Sequence, residues 1–220
     1  MGNVTPIDPH TAISPAILYF GTPVALLSTV DGTGDANIAP NSSVWWLGQT
    51  ALVGVSASSQ TGRNLLATGE VVINLPSQNE VDIVDRLALT TGRPEVSARK
   101  HAAGYRSVRD KFAHARVSPM AAETVAPPRI AELPVHLEGT VRALHPLDGI
   151  PDPADARVIA AEIAITRVHV RDSLRMPGYP NRIDPERWQP LLLSFQRFFG
   201  RGGEVMPSRL ASIDEEWYRG

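Results

Sequence analysis

The stretch Pro23-Val24-Ala25-Leu26-Leu27-Ser28-Thr29-Val30-Asp31-Gly32-Thr33-Gly34-Asp35-Ala36-Asn37-Ile38-Ala39-Pro40-Asn41-Ser42-Ser43-Val44-Trp45-Trp46 decides the fold class. Pro23 to Val30 is almost continuously apolar and β-branched, which predicts a strand covered on both faces. Asp31 to Asp35 reads as a hairpin turn, with Gly32 and Gly34 supplying positive φ. Ala36 to Trp46 is then the returning strand. Pro40 interrupts it. Without an N–H to give to the ladder, Pro40 marks an edge, a bulge, or backbone opened toward a ligand.

Working outward, Ala51 to Ser56 is a third strand and Gln60 to Thr68 a short helix, ended by Gly69 in the C-cap role. Val71 to Leu75 is a fourth strand and Val81 to Leu89 a second helix. From Ser97 to Ala115, Tyr105, Val108, Phe112 and Ala115 recur at helical spacing. On that helix Lys100, Arg106, Arg109 and Lys111 form the solvated face. Pro127-Pro128 ends the excursion. Further strands follow near Pro134 to Leu144, Arg157 to His169 and Trp188 to Phe195. Residues 1–15 read as an N-terminal arm, with a short helix around Pro15 to Phe20, and residues 196–220 as a tail. Nineteen prolines and 17 glycines argue for many short strands over a helical bundle. The expected architecture is mainly β, a barrel with inserted helices, in one domain over residues 1–220.

Composition bounds the function. The 21 basic and 23 acidic residues give a net charge of −2 with no long run of one sign. Nothing in that balance suggests capture of nucleic acid or a membrane surface. Cysteine is absent, which excludes disulfides, thiolate nucleophiles and cysteine metal sites. No apolar run approaches the roughly 20 residues of a membrane helix. Met1 to His10 lacks the pattern of a secretory signal, so a cytoplasmic location is expected.

Two polar runs interrupt this apolar text: Asn37 to Ser43, and Ser56-Ala57-Ser58-Ser59-Gln60-Thr61-Gly62-Arg63-Asn64. The second lies where a strand ends and a helix begins. A helix start presents unpaired N–H groups and partial positive charge, which suit a phosphate. Ser58, Ser59 and Thr61 add hydroxyls, and Arg63 can grip a phosphate with two parallel bonds. Plain N-capping by Ser59 or Thr61, with Arg63 in solvent, explains the same spacing. Asn41, Ser42 and Ser43 read equally as a turn or as ligand contacts. Val44-Trp45-Trp46 follows directly. Adjacent strand residues face opposite ways, so one tryptophan needs a second surface: another subunit, a flat ligand or an inserted helix.

Other constellations fail. Gly32-Thr33-Gly34 lacks the third glycine of the dinucleotide fingerprint. No Gly-x-Ser-x-Gly elbow occurs. The six histidines are scattered, so no metal site is expected, and His136 and His169 read as satisfied core or surface residues. The polar runs thus offer donors for binding without an evident acid, base or nucleophile. A cofactor that carries its own chemistry fits such a site.

The segments Pro23 to Gly32, Asn37 to Ser42, Thr61-Gly62-Arg63-Asn64-Leu65 and Gly69-Glu70-Val71-Val72-Ile73-Asn74-Leu75 resemble, in this order, the flavin reductase-like, FMN-binding split-barrel family. The similarity continues through Asp110-Lys111-Phe112-Ala113, Pro128-Arg129-Ile130-Ala131-Glu132 and Leu137-Glu138-Gly139-Thr140-Val141. The resemblance implies a six-stranded Greek-key split barrel, a homodimer, and flavin near the subunit interface. It implies that Asn37, Ala39, Pro40, Asn41, Ser42, Ser43, Val44 and Trp45 line the isoalloxazine and ribityl chain. Ser56, Ala57, Ser58, Ser59, Thr61, Arg63 and Asn64 would hold the phosphate. The implied cofactor is FMN, with FAD open, and NAD(P)H is the implied co-substrate. A partner monooxygenase that receives reduced flavin is also implied. Two other readings stay open: a flavin-binding electron carrier without a nicotinamide site, and a flavin oxidase of a small organic substrate.

Overall fold

The computed structural model describes residues 9–206. In chain order its strands and helices begin with β1 (Phe20–Pro23), β2 (Ala25–Val30), β3 (Ala36–Asn41), β4 (Val44–Leu47) and β5 (Thr50–Ser56). Then come α1 (Gln60–Thr68), β6 (Glu70–Leu75), α2 (Val81–Leu87), β7 (Thr90–Thr91), α3 (Ala98–Ala102), β8 (Arg106–Ser107) and α4 (Lys111–Ala115). The chain continues through β9 (Pro119–Met120), β10 (Arg129–Ile130), β11 (Val135–Pro146), β12 (Val158–Val170), β13 (Leu192–Ser194) and β14 (Arg197–Phe199). No helix among the described residues is long and apolar enough to cross a membrane.

Seven strands form the main sheet in the order β3-β2-β6-β11-β12-β5-β4, each pair antiparallel. The expected returning strand from Ala36 to Trp46 is split at Ser42-Ser43. Its two halves, β3 and β4, occupy opposite edges, so the six expected strands become seven. This break forces closure. Seven strands laid flat would hold the edges about 29 Å apart, at roughly 4.8 Å per step. Asn41 and Val44 are three Cα steps apart, a reach of at most about 11 Å. The sheet therefore curls until its edges meet. Asn41 Nδ2 donates to the Gly54 carbonyl at 2.8 Å, and Gly54 N–H donates to the Ser43 carbonyl at 2.8 Å. Pro40 lies in the edge strand β3, where a missing donor costs no ladder bond.

All six residues of β2 are buried, as its continuous apolar run predicts. Ala25 and Leu27 face the barrel interior with Val53, Val71, Ile73 and Ile163. Leu26 faces the other way and packs with Ile38, Val84, Leu87 and Phe112 beneath α2 and α4. The helix α1 is also as expected. The Ser59 hydroxyl caps it by accepting from Gly62 N–H at 3.0 Å, and Gly69 ends it at φ 67°.

The 97–115 expectation is corrected. Instead of one long helix there are two five-residue helices with β8 between them, and β8 pairs in parallel with β7. Gly104 at φ 85° breaks the helical path. Lys111, expected in solvent, is buried at 2 % exposure. The short helix expected at Pro15 to Phe20 is absent; those residues lead into β1. β1, β13 and β14 make a separate three-stranded sheet, so the strand expected at Trp188 to Phe195 shortens to Leu192–Ser194 and the tail supplies a further strand. Residues 1–8 of the arm and 207–220 of the tail lie outside the described residues.

Candidate functional site

Folding joins the two polar runs. Asn37, on β3, donates from Nδ2 to the Thr61 hydroxyl at 3.1 Å, across a sequence distance of 24 residues. Both side chains are buried. This contact forms a corner of a cavity of about 690 Å3, a volume suited to a nucleotide-sized ligand. Ala39, Pro40, Asn41, Ser42 and Ser43 extend the polar wall along β3, and Ser56, Ser59 and Gln60 carry it to the start of α1. The cavity is also lined by the apolar side chains of Val24, Leu27, Val84 and Leu87. Tyr19 stands over the polar wall, its hydroxyl 3.2 Å from Ser43 Oγ.

Asn37 Oδ1 is buried without a hydrogen-bond partner. Such an atom costs about 1–3 kcal/mol unless a donor arrives. Gly92 leaves the room for this: a Cβ there would come within 2.4 Å of that oxygen. A flat heteroaromatic ring with N–H donors on one edge, an apolar face and a phosphorylated polyol tail matches this wall pattern. The residues present fit a flavin nucleotide.

Nine of the residues the sequence singles out line the cavity: Asn37, Ala39, Pro40, Asn41, Ser42, Ser43, Ser56, Ser59 and Thr61. Six lie off its wall. Val44 and Ala57 belong to the barrel interior. Trp45 is 55 % exposed on the edge strand β4, while Trp46 packs against the interior. Ser58 bonds its neighbour Ser56, and Asn64 ties α1 to β2 by donating to Thr29 Oγ1 at 3.0 Å. Arg63 is exposed on α1. Its position follows from helix geometry: Thr61, Gly62, Asn64 and Leu65 take the inward face, leaving residue 63 outward. The Ser59 hydroxyl is engaged in capping and also donates to the Ser56 carbonyl at 2.7 Å.

Other wall residues come from segments with no binding signature. Asp85 is on α2, Lys100 and Lys111 on α3 and α4, and Gln196 and Phe198 in the β13–β14 hairpin. Lys111 had one signal, its place between the capping Asp110 and the buried Phe112. Leu89 (φ 54°) and Gln196 (φ 66°), both on the wall, hold left-handed backbone without being glycine. Strain of that kind gathers where surrounding structure fixes a site.

A curled antiparallel barrel with a cleft of mixed polar and apolar lining against one edge is a split barrel. The sequence profile of the flavin reductase like domain matches residues 17–199, and the chain belongs to that family. The uncharacterised protein YdfE of Bacillus subtilis is 32 % identical over 193 residues, covering 88 % of this chain and 90 % of its own. Among solved structures, flavoredoxin of Desulfovibrio vulgaris (Miyazaki F) superposes with a TM-score of 0.73 at 18 % identity, over 93 % of this chain and all of its own. Nitrilotriacetate monooxygenase component B from Bacillus cereus superposes at 0.71 and 20 % identity, over 91 % of this chain and all of its own.

Proposed function

We propose that the protein is an NAD(P)H:flavin oxidoreductase that holds FMN in the cavity between β3, α1 and α2. The observation that carries this reading is the Asn37–Thr61 corner, with its unpartnered amide oxygen, on the barrel of a flavin-binding family. Bound flavin supplies the hydride-accepting chemistry. The chain's own residues position it and keep water from it. Asn37 satisfies its orphan oxygen with a ring N–H, and β3 from Ala39 to Ser43 fixes the ring edge and polyol. The first-turn N–H groups of Gln60 and Thr61 point their partial positive charge at the phosphate. Val24, Leu27, Val84 and Leu87 supply the dry face.

Purified protein titrated with FMN and then given NADH or NADPH under air should consume nucleotide continuously, read as loss of nicotinamide absorbance. Bound flavin that stays oxidised with both nucleotides would sink the reductase reading in favour of an electron carrier. The fold shared with a monooxygenase component B supports a role in passing reduced flavin to a partner monooxygenase.

The exposed Trp45 and the 75 % exposed Leu47 on the barrel's edge strand support a homodimer across that face. Trp45→Glu together with Leu47→Glu is expected to halve the mass seen by light scattering at micromolar protein. An unchanged mass would remove this face from the interface.

A further inference from the structure

The excursion from Arg93 to Arg116 carries charge that folding leaves unneutralised. It holds seven of the chain's 21 arginines and lysines but only two of its 23 acids, Glu95 and Asp110. Asp110 caps α4 by accepting from Ala113 N–H at 2.9 Å, and Arg109 pairs with Asp35 at 2.8 Å. Among the described residues no carboxylate lies within ion-pair distance of Arg93, Arg99, Lys100 or Arg106. Arg106 meets His114 Nε2 instead, at 3.2 Å.

These four cations border the mouth of the cavity. Lys100 is half-buried on its wall, with Nζ 5.5 Å from the ring centre of Tyr105, another wall residue. Arg93 follows the wall residue Gly92, Arg99 precedes Lys100, and Arg106 follows Tyr105. Backbone bonds fix the segment there. Arg106 N–H donates to the Leu89 carbonyl at 3.0 Å and Val108 N–H to the Thr91 carbonyl at 2.9 Å, and both acceptors belong to wall residues. The acid on the wall is Asp85 of α2, which is exposed. Its charge disfavours an anion along α2 and leaves the α3 side as the place for one.

We propose that this basic rim, with Lys100 at its centre, takes the ribose 2′-phosphate of NADPH and makes the protein select NADPH over NADH. The inference rests on the reductase reading above and names the nucleotide that reading leaves open. The nicotinamide ring must enter the cavity to meet flavin, so the adenosine half of the dinucleotide stays at the mouth, among the exposed cations. Both nucleotides carry the pyrophosphate. NADPH alone adds a phosphomonoester, close to two further negative charges at neutral pH. A site for NADH sets a carboxylate to accept from the free ribose 2′-hydroxyl, whereas a basic side chain there accommodates the 2′-phosphate. The α3 side of the mouth offers the second arrangement. The flavin phosphate is met from another element, by the first-turn N–H groups of α1.

The test compares wild type with Lys100→Met, which keeps the stem and removes the charge, and with the double variant Arg99→Ala, Lys100→Met. Lys100→Gln is the alternative should the methionine form fail to fold. Two readouts are taken: kcat/KM for NADPH and NADH with FMN present, and binding of adenosine 2′,5′-bisphosphate and adenosine 5′-monophosphate by calorimetry, which needs no turnover. Wild type is expected to favour NADPH and the bisphosphate. In Lys100→Met the NADPH-to-NADH ratio of kcat/KM should fall roughly ten- to hundred-fold through KM, the range for a lost charged hydrogen bond. The preference for the bisphosphate should fall with it, and further in the double variant. Added salt should shrink the wild-type preference, because the rim is exposed. If wild type takes the bisphosphate through Lys100 but neither nucleotide reduces flavin, the reductase reading fails and the phosphate site stands. Equal affinity of wild type for the two adenosine phosphates overturns the proposal, as does an unchanged preference in Lys100→Met. A loss of FMN affinity in Lys100→Met with bisphosphate binding intact overturns it too, since Lys100 would then serve the flavin.

Discussion

Glu138→Ala is expected to cost about 3–5 kcal/mol of folding stability, the scale for removing one member of a buried charged network. Glu138 lies on β11 with its side chain fully buried. Its carboxylate accepts from Thr124 N–H at 2.7 Å, the Thr124 hydroxyl at 2.8 Å and Glu123 N–H at 3.0 Å. His169 Nε2 of β12 is 2.7 Å away. Alanine would strand these part-buried groups, and a donor left alone costs about 1–3 kcal/mol where water cannot reach it. Glu138 holds the segment around Glu123 and Thr124 to the barrel together with Thr166, Arg167 and Glu70, so that segment's protection from proteolysis should fall as well. A chemical denaturation midpoint within error of wild type would show that water replaces the carboxylate at no cost.

The same network sets the acid limit. Burial alone would raise the Glu138 carboxyl, but hydrogen bonds from Glu123, Thr124 and His169 outweigh it and hold it at about 2. A carboxyl lowered on folding stabilises the native state above its unfolded value near 4.3 and loses that contribution as pH falls toward about 2. His136 acts earlier. Burial, against the opposing effect of its 2.8 Å contact with the Ile130 carbonyl, lowers it to about 4. The unfolded chain therefore binds its proton first, and stability drops between about 6.5 and 4. Unfolding free energy measured against pH should fall across both windows, and Glu138→Gln should flatten the lower one.

Gly62→Ala is expected to cost about 3 kcal/mol and to weaken flavin binding with it, from overpacking against rigid backbone. A Cβ at Gly62 would meet the Ser56 carbonyl oxygen at 2.3 Å and the Ala57 carbonyl oxygen at 2.8 Å. These are backbone atoms of the turn that carries β5 into α1, so neither can step aside as a side chain would. Relief requires α1 to move from the barrel, which pulls Thr61 from Asn37 and opens the polar corner. Gly32→Ala is the matched control, since its Cβ meets nothing within 4 Å. A Gly62→Ala protein with wild-type Tm and FMN affinity would mean the corner tolerates displacement, and the site would need another anchor.

The local elements were legible because local chemistry specifies them. The continuous apolar run of β2, the glycine hairpin after it, and α1 from its Ser59 cap to Gly69 all rest on interactions within a few residues. The two polar runs were legible as well, since hydroxyls and amides have no packing reason to interrupt apolar strands. Their meaning divided, however. Ser59 and Asn64 use their polar groups to build the turn and the helix contact, whereas Asn37 and Thr61 turn theirs to the cavity wall. That distinction depends on which face of α1 meets β2, a tertiary matter.

Sequence by itself determined most of the barrel's strands and the two polar runs, because apolar runs, caps and turns are written residue by residue. Only the tertiary structure decided that β3 and β4 part to opposite edges, that Arg63 faces outward, and that Lys111 faces inward. The physical reason is that a charge's role depends on what surrounds it. Helical spacing alone placed Lys111 in water, and the fold that breaks that helix at Gly104 buries it beside a cavity instead.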